Sequence, residues 1–592
     1  MSSQRFVASF TDTIQERANS ALSWLILISG WVSAGIALYM VVVCYTSLPW
    51  SDGWTQIFAA AHGENLFSLH WLWEQHNEHR LVVPKLLLAL DLRFFHASQK
   101  LLLSTIFLVQ LLHLWLLSWS MRSLGGWRGP VWRAGTGLAA VCLFAPSQWE
   151  NLTWGFQTCF VLSGLCATLS FVALLLYYTS VQREPQSHPW KWIALSVLAA
   201  LAGMFSLANG LLVLPLLLAA ALLLRLGYAV VSTYLIAAVV SVALYFHHYI
   251  RPAQNSDPAA SLRSPIRLLQ YVAVYFGSSW GYGSSWTHHN LQIALGTGLA
   301  GLALAILFLL RFHRIRKTAD TFAVQLLLIL LFCIGTAFLT ALGRVASGSS
   351  QAFAPRYQTI ALLFWCCLGC SLLAVSIAGR GSLPRLTIQV LLLLLFLRGA
   401  ALVRFPLRDA REHAFQQRAA AAALLSDVED REQIQQAFPY ADSVLSVVPF
   451  MRENHLSIFG EHGRPQPGST IGSIAREIAP ENCRGAIQTV SAVRSDGQQD
   501  LRITGWVWNL LYRGPVSYIV VVADRRVVGL GASGDWRPTV RAANPYMNTS
   551  FVGFTAYAKS VPPLTPVEIY AVDRKMPEQA CYVAAVHPPS SS

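Results

Sequence analysis

The stretch LSWLILISGWVSAGIALYMVVVCYT, residues 22–46, decides the fold class. It is an uncharged apolar run of about 24 positions, enough for one helix to cross the roughly 30 Å hydrocarbon core of a bilayer. The residues before it are polar (Arg5, Asp12, Glu16, Arg17). The run is too long for a signal-peptide core and lacks a small-residue cleavage site, so it reads as a retained first helix. The rest of the chain agrees with this. It has 592 residues, 54% of them apolar and only 12% charged, with a mean hydropathy of +0.46. No soluble domain of this length has that balance.

Working outward, runs of suitable length predict helices near 22–46, 101–121, 134–147, 156–179, 191–207, 209–226, 228–248, 291–311, 320–342, 358–378 and 385–403. The expected core is therefore an α-helical polytopic membrane domain of about eleven transmembrane helices, residues 1–404. The stretch PKLLLALDLRFFHAS, 84–98, is too short and too charged to span. It reads as a helix at the interface or one re-entering within protein.

The net charge of +14 does not indicate nucleic acid, because the basic residues are scattered through short alternate loops. Arg122, Arg128 and Arg133 share one; Arg183 and Lys191, Arg225, RFHRIRK at 311–317, and Arg380 with Arg385 follow. By the positive-inside rule these loops are cytoplasmic. The N-terminus is then inside, and the loops at 47–100, 148–155, 247–290 and 343–357 lie outside with the C-terminal region. The expected location is a bacterial inner membrane, with membrane lipids around the core and a periplasmic C-terminal domain.

After Phe405 the composition changes. REHAFQQRAAAAALLSDVEDREQIQQAF, 411–438, consists of helix formers, and residues 405–475 read as a periplasmic helical connector. From about 484 the pattern alternates through LRITGWVWN, SYIVVVADRRVVGLG, FVGFTAYAK and PVEIYAV, which predicts an antiparallel β-sandwich within 476–592. Eight of the ten cysteines fall inside apolar spans, where a thiol is a small hydrophobe. Cys483 and Cys581 stand apart, near the two ends of the soluble region, and form a disulfide candidate there if it is periplasmic.

The outer loops hold the chemistry. WLWEQHNEHRLVVPK, 71–85, packs Glu74, His76, Asn77, Glu78, His79 and Arg80 between apolar flanks, and Asp52 lies just past the first span. Ionisable groups at the edge of hydrocarbon are costly and are usually kept for pairing, transport or chemistry. A carboxylate there can take a proton from an acceptor hydroxyl. Asp52, Glu74 and Glu78 are the candidates, with Asp52 equally readable as a helix cap. If the segment is helical, Glu74 and Glu78 share one face. His76, His79 and the carboxylates are acceptable ligands for a divalent cation. No H-E-x-x-H pattern is present and Arg80 adjoins, so no metal cofactor is expected.

SQWENLTWGFQ, 147–157, sets Trp149 and Trp154 beside Glu150, Asn151 and Gln157. Indoles beside carboxylate and amide groups suit a sugar, although interfacial tryptophans alone are an ordinary aromatic belt. GRVASGSSQAFAPRYQT, 343–359, places Arg344, Arg356 and Tyr357 on the outer side, against the charge bias. A phosphate would explain those arginines through bidentate bonds; snorkelling to headgroups is the plainer alternative. Loop 247–290, with FGSSWGYGSSWTHH at 276–289, reads as a flexible lid or rim. Asn209 either faces the same cavity or caps a helix.

Three motifs together, Asn77–Arg80, Trp149–Gln157 and Gly343-Arg344 with Arg356-Tyr357, resemble a bacterial set within the GT-C superfamily of membrane glycosyltransferases. The likeness covers roughly residues 22–460. It implies a GT-C-like core that takes sugar from a polyprenyl-phosphate donor and gives it to a periplasmic glycan, lipid or protein. It also implies an acidic base in the first outer loop, which Asp52 matches, and donor phosphate held by Arg344 and Arg356. The acidic pair of several such families is absent, since Gly53 follows Asp52, so Glu74 and Glu78 remain alternatives for the base. The β-domain resembles those that follow such cores, either binding glycan or holding the core in position. From other classes, a transporter or flippase of sugars or lipid-linked glycans is the main rival, with an assembly protein or receptor behind it. Mid-span positions nearly free of charge, with no internal repeat, count against transport.

Overall fold

A computed structural model describes residues 2–588 except 185, 187, 253–256, 283–287, 316–320, 379–382, 402, 462–465, 471, 473–476, 479–481, 496–497, 563–564 and 574–575. Two compact units divide the chain. The first comprises Met1–Val42, Phe67–Leu87 and Leu102–Leu407; the second comprises Val43–Leu66, Leu88–Leu101 and Arg408–Ser592.

The first unit is helical. Among the described residues, seven helices are long and apolar enough to cross a membrane: Glu16–Val43, Lys100–Ser123, Gly155–Arg183, Tyr228–Phe246, His289–Leu310, Thr321–Ser347 and Pro355–Val375. The other four sequence-expected spans also hold helices, at Gly129–Leu143, Trp190–Met204, Val213–Leu223 and Leu383–Ala401. The first three are shorter than a membrane-crossing helix, so seven is the number that length and composition support among the described residues. A helix at Val82–Phe95 occupies the stretch judged too short to span.

Loop 247–290, expected as a flexible lid or rim, is partly helical. It contains a 17-residue helix, Pro265–Gly281, with Tyr271, Tyr275 and Phe276 fully buried. Its apolar residues recur at helical spacing, and Pro265 stands in its first turn, where the missing N–H is not needed. It lies against His288–Ile315 with the two backbones nearly touching. A Cβ at Gly277 would fall 1.7 Å from the Ala294 carbonyl, and one at Gly298 1.7 Å from that of Ala273. Small residues permit such contact, as is usual where helices pack without a hydrophobic drive from water. Residues 283–287 of this loop and Arg380 lie outside the described residues.

In the second unit the connector is helical, at Arg404–Leu425, Arg431–Ile434 and Ala441–Glu453. It shares a core with the chain after the first span: Trp54 and Ile57 pack with Ala420, Ala421, Leu424, Ile434, Val444 and Met451.

The C-terminal strands form one hydrogen-bonded sheet, where two stacked sheets had been expected. The strands are β1 Glu477–Ile478, β2 Cys483–Ser495, β3 Gln498–Asn509, β4 Tyr518–Ala523, β5 Arg526–Trp536, β6 Phe551–Ala558, β7 Val567–Asp573 and β8 Met576–Val586. Their order is β1-β8-β7-β4-β5-β6-β3-β2. The sheet curls, so β2 and β8, remote in that order, are joined by the Cys483–Cys581 disulfide with Cα atoms 5.8 Å apart. One face encloses Leu501, Ile503, Ile519, Val521, Phe554 and Ile569. The connector covers part of the other, where Phe415 and Ala419 meet Ala532 and Leu425 meets Val520 and Leu530. With both faces buried, the run YIVVVA in β4 is continuously apolar. The Ser426 hydroxyl accepts from Leu530 N–H at 2.9 Å, and Tyr557 donates to Asp430 at 3.0 Å.

The disulfide closes a separation of 98 residues across the open side of the curl. Cys483→Ser is expected to cost the second unit about 2–4 kcal/mol, read as a lowered unfolding midpoint in protein kept free of reductant.

Candidate functional site

The loop at 71–85 is built on a tight turn. Ser68 caps the short helix Leu69–Trp73 by accepting from Trp71 N–H at 3.2 Å. Glu74 ends that helix, with ψ at 135°. His76 and His79 then exchange backbone hydrogen bonds at 2.8 and 2.9 Å, and Asn77 sits at φ +50°. Asn enters that left-handed region more readily than other side chains. Glu74 and Glu78 therefore do not share a helical face. Glu74 is exposed and Glu78 faces inward.

Two buried cations fasten the turn. Arg80 donates from Nε to the Tyr245 carbonyl at 2.7 Å, from Nη1 to that of Trp73 at 2.7 Å, and from Nη2 to that of His247. Lys85 Nζ donates to the carbonyls of Trp71 at 2.7 Å and Glu74 at 3.1 Å, and lies 3.5 Å from the Glu74 carboxylate. Buried charge is tolerated only when so paired. The geometry makes Arg80 and Lys85 braces of the loop.

Glu78 accepts from Arg344 Nη2 at 2.7 Å, with His79 Nε2 at 3.7 Å. Burial raises its carboxyl pKa, but His79 and Arg344 together outweigh burial and hold it below the usual range. His79 Nδ1 accepts from Ala208 N–H at 3.2 Å, so the ring proton is assigned to Nε2, facing Glu78. The adjacent Asn209 is buried; its Oδ1 accepts from Ser163 at 2.7 Å and its Nδ2 donates to Thr336 at 3.3 Å.

The second and third motifs interlock. Glu150 meets Arg356 Nη1 at 3.3 Å, while Asn151 Nδ2 donates to the Arg356 carbonyl at 2.9 Å and to Thr359 Oγ1 at 2.7 Å. Thr359 donates to Gln148 at 2.8 Å. Burial pushes the Glu150 carboxyl above its ordinary range, against the pull of Arg356. Tyr357 stacks on Tyr275 at 5.3 Å and accepts from Gln351, which accepts in turn from Tyr271 at 2.6 Å. Among the described residues, none is a hydrogen-bond partner to the buried oxygens of Asn151 (Oδ1), Gln157 (Oε1) and Thr158 (Oγ1). Trp149 and Trp154 are 8% and 7% exposed, and Trp149 Nε1 donates to Tyr282, so neither indole offers an open stacking face.

All three motifs thus meet within the first unit. Glu78–Arg344 joins the first to the third, and Glu150–Arg356 joins the second to the third. The His76 ring, 5.3 Å from Phe156, joins the first to the second. Asp52 belongs to the second unit. It lies on the 3-10 turn Ser51–Trp54, anchored where Ser51 N–H reaches the Ala437 carbonyl at 2.8 Å and Trp50 touches His413 at 4.0 Å. Among the described residues no cluster of His, Cys, Asp and Glu is placed to hold a metal. Lys85, Gln148, Tyr271, Gln351 and Thr359 complete the network but went unread in the sequence. Lys85, Gln148, Gln351 and Thr359 stand inside the quoted stretches and Tyr271 inside loop 247–290, but no spacing sets them apart from their neighbours.

Comparison of the chain with protein families, with curated proteins and with solved structures finds no match to any of the three.

Arg80→Gln is expected to destabilise the protein by about 3 kcal/mol, because buried carbonyls lose charged donors. Arg80→Lys is not expected to rescue it, since one ammonium cannot span three separate carbonyls. Thermal unfolding in detergent measures both.

Proposed function

We propose that the protein is a membrane glycosyltransferase of GT-C type, its eleven helices embedded in a bacterial inner membrane with the C-terminal domain outside. The donor is a polyprenyl-phosphate sugar and the acceptor a periplasmic glycan, lipid or protein. One observation carries this reading. Two carboxylate–arginine pairs, Glu78–Arg344 and Glu150–Arg356, draw three separate outer loops into one polar cluster.

Such a cluster has the parts that transfer from a lipid phosphate needs. Glu78 takes the proton of the acceptor hydroxyl, whose oxygen lone pair attacks the anomeric carbon. The bond from that carbon to the phosphate oxygen breaks, and its electron pair leaves on polyprenyl phosphate. Arg344 and Arg356 offset the charge gathering there, where fixed cations help most. Glu150, raised by burial, and the partnerless oxygens of Asn151 and Gln157 suit the hydroxyl donors of a sugar. Glu78 is preferred to Glu74 because Glu74 is exposed and pairs with the structural Lys85.

The assay is transfer from radiolabelled polyprenyl-phosphate sugars to membrane acceptors by purified full-length protein. Glu78→Gln is expected to lower turnover about 10²–10⁴-fold, the usual loss on removing a general base. Arg344→Gln is expected to raise the donor KM. Full activity in Glu78→Gln would remove the assignment, and no transfer from any polyprenyl-phosphate sugar would remove the function.

A further inference from the structure

Loop 247–290 carries one acid, Asp257, against three arginines, Arg251, Arg263 and Arg267. Asp257 is already matched. It pairs with Arg251 at 3.1 Å and caps the short helix Pro258–Leu262 by accepting from Ala259 N–H at 3.4 Å. Arg263 and Arg267 stand four positions apart, both exposed, and among the described residues neither meets a carboxylate. Three large apolar side chains interleave with them and are left uncovered by the protein: Leu262 is 55% exposed, Ile266 81% and Leu269 54%. A single exposed leucine is ordinary, but a group set between uncompensated arginines needs a reason. The helix Pro265–Gly281 packs on the protein through a different face, with Leu268, Tyr271 and Val272 buried.

Position decides what covers the exposed face. Ser261 Oγ donates to the Leu342 carbonyl at 3.0 Å. Leu342 belongs to the membrane-length helix Thr321–Ser347 and lies roughly 30 Å along it from Thr321. That distance is the thickness of the hydrocarbon core. Further along, Tyr271 donates to Gln351 at 2.6 Å, in the 3-10 turn Ser349–Phe353 that follows the same helix. Residues 262–269 are therefore moored to the end of a span, at the level where hydrocarbon gives way to headgroups. There, acyl chains cover apolar side chains while guanidiniums reach phosphate. A guanidinium grips phosphate oxygens through two parallel hydrogen bonds. Two cations without acid partners also favour a headgroup of net negative charge over a zwitterionic one.

We infer that residues 262–269 form a docking site for an anionic phospholipid. Arg263 and Arg267 hold its phosphate, and Leu262, Ile266 and Leu269 lie against the start of its acyl chains. The site uses no member of the Glu78–Arg344 and Glu150–Arg356 pairs and is independent of the glycosyltransferase proposal.

The test uses purified full-length protein in a non-ionic detergent, titrated with dioleoyl phosphatidylglycerol and separately with dioleoyl phosphatidylcholine. Native mass spectrometry counts the bound lipids and the copies of the chain. Wild type is expected to hold a phosphatidylglycerol that the double variant Arg263→Gln, Arg267→Gln binds about tenfold more weakly or worse, while phosphatidylcholine binds both proteins equally. Ile266→Gln with Leu269→Gln is expected to weaken the same phosphatidylglycerol through its chains. All four side chains are exposed, so both double variants are expected to fold. Unchanged phosphatidylglycerol binding in either double variant overturns the inference. Equal weakening of both lipids by the arginine variant also overturns it, because the headgroup charge is then not read. Loss of a dimer in place of a lipid overturns it as well, and gives the face to a second copy of the chain.

Discussion

A carboxylate beside hydrocarbon persists only where a cation meets it, and that requirement organises the first unit. Glu78 and Glu150 are each met by an arginine more than 200 residues further along the chain, at separations of 266 and 206. Neither pair is local, so neither is satisfied until the helices that carry them have packed. Leaving one member without the other strands a partly buried charge, which is more costly than the pair itself is favourable. The same rule explains Arg80, which gathers three backbone carbonyls, and Lys85, which gathers two beside the Glu74 carboxylate.

The second unit solves a different problem, that of a sheet with open edges. A curled sheet leaves its first and last strands without a full set of partners, and exposed edges invite association. Here β2 and β8 are stapled by Cys483–Cys581, and the two residues of β1 pair alongside β8. The connector helix lies on the outer face at Ala532 and Leu530, which turns a surface strand into a buried one.

Much of this was legible in the sequence, for physical reasons that differ by element. The eleven apolar runs each gave a helix because nothing competes with internal hydrogen bonding in a long uncharged segment. Membrane length was harder to read, since the run 134–147 ends at Ser147-Gln148 and the run 209–226 follows Ser206 and begins at Asn209, where no charge marks the boundary. The helix Pro265–Gly281 was hidden by Gly, Ser and Trp at its end, which read as loop until the close approach of Gly277 to Ala294 supplies their reason. Glu74 and Glu78 carried a helical spacing by coincidence, and the positive φ of Asn77 turns the chain between them. The pairing of motifs was invisible, because neither periodicity nor spacing reports which distant loops meet. Asp52 matched a family position in sequence, yet Trp50 and Ser51 bind it to the connector of the second unit.

The central claim is that loops 266 residues apart meet at Glu78 and Arg344. The most direct measurement replaces both with cysteine, treats the folded protein in membranes with a bifunctional thiol reagent about as long as the two side chains removed, and identifies linked peptides by mass spectrometry. The account requires a crosslink between positions 78 and 344 to form readily, and to vanish when the second cysteine is moved to exposed Leu269. Absence of the 78–344 link in folded protein, or equal linkage to position 269, would contradict it.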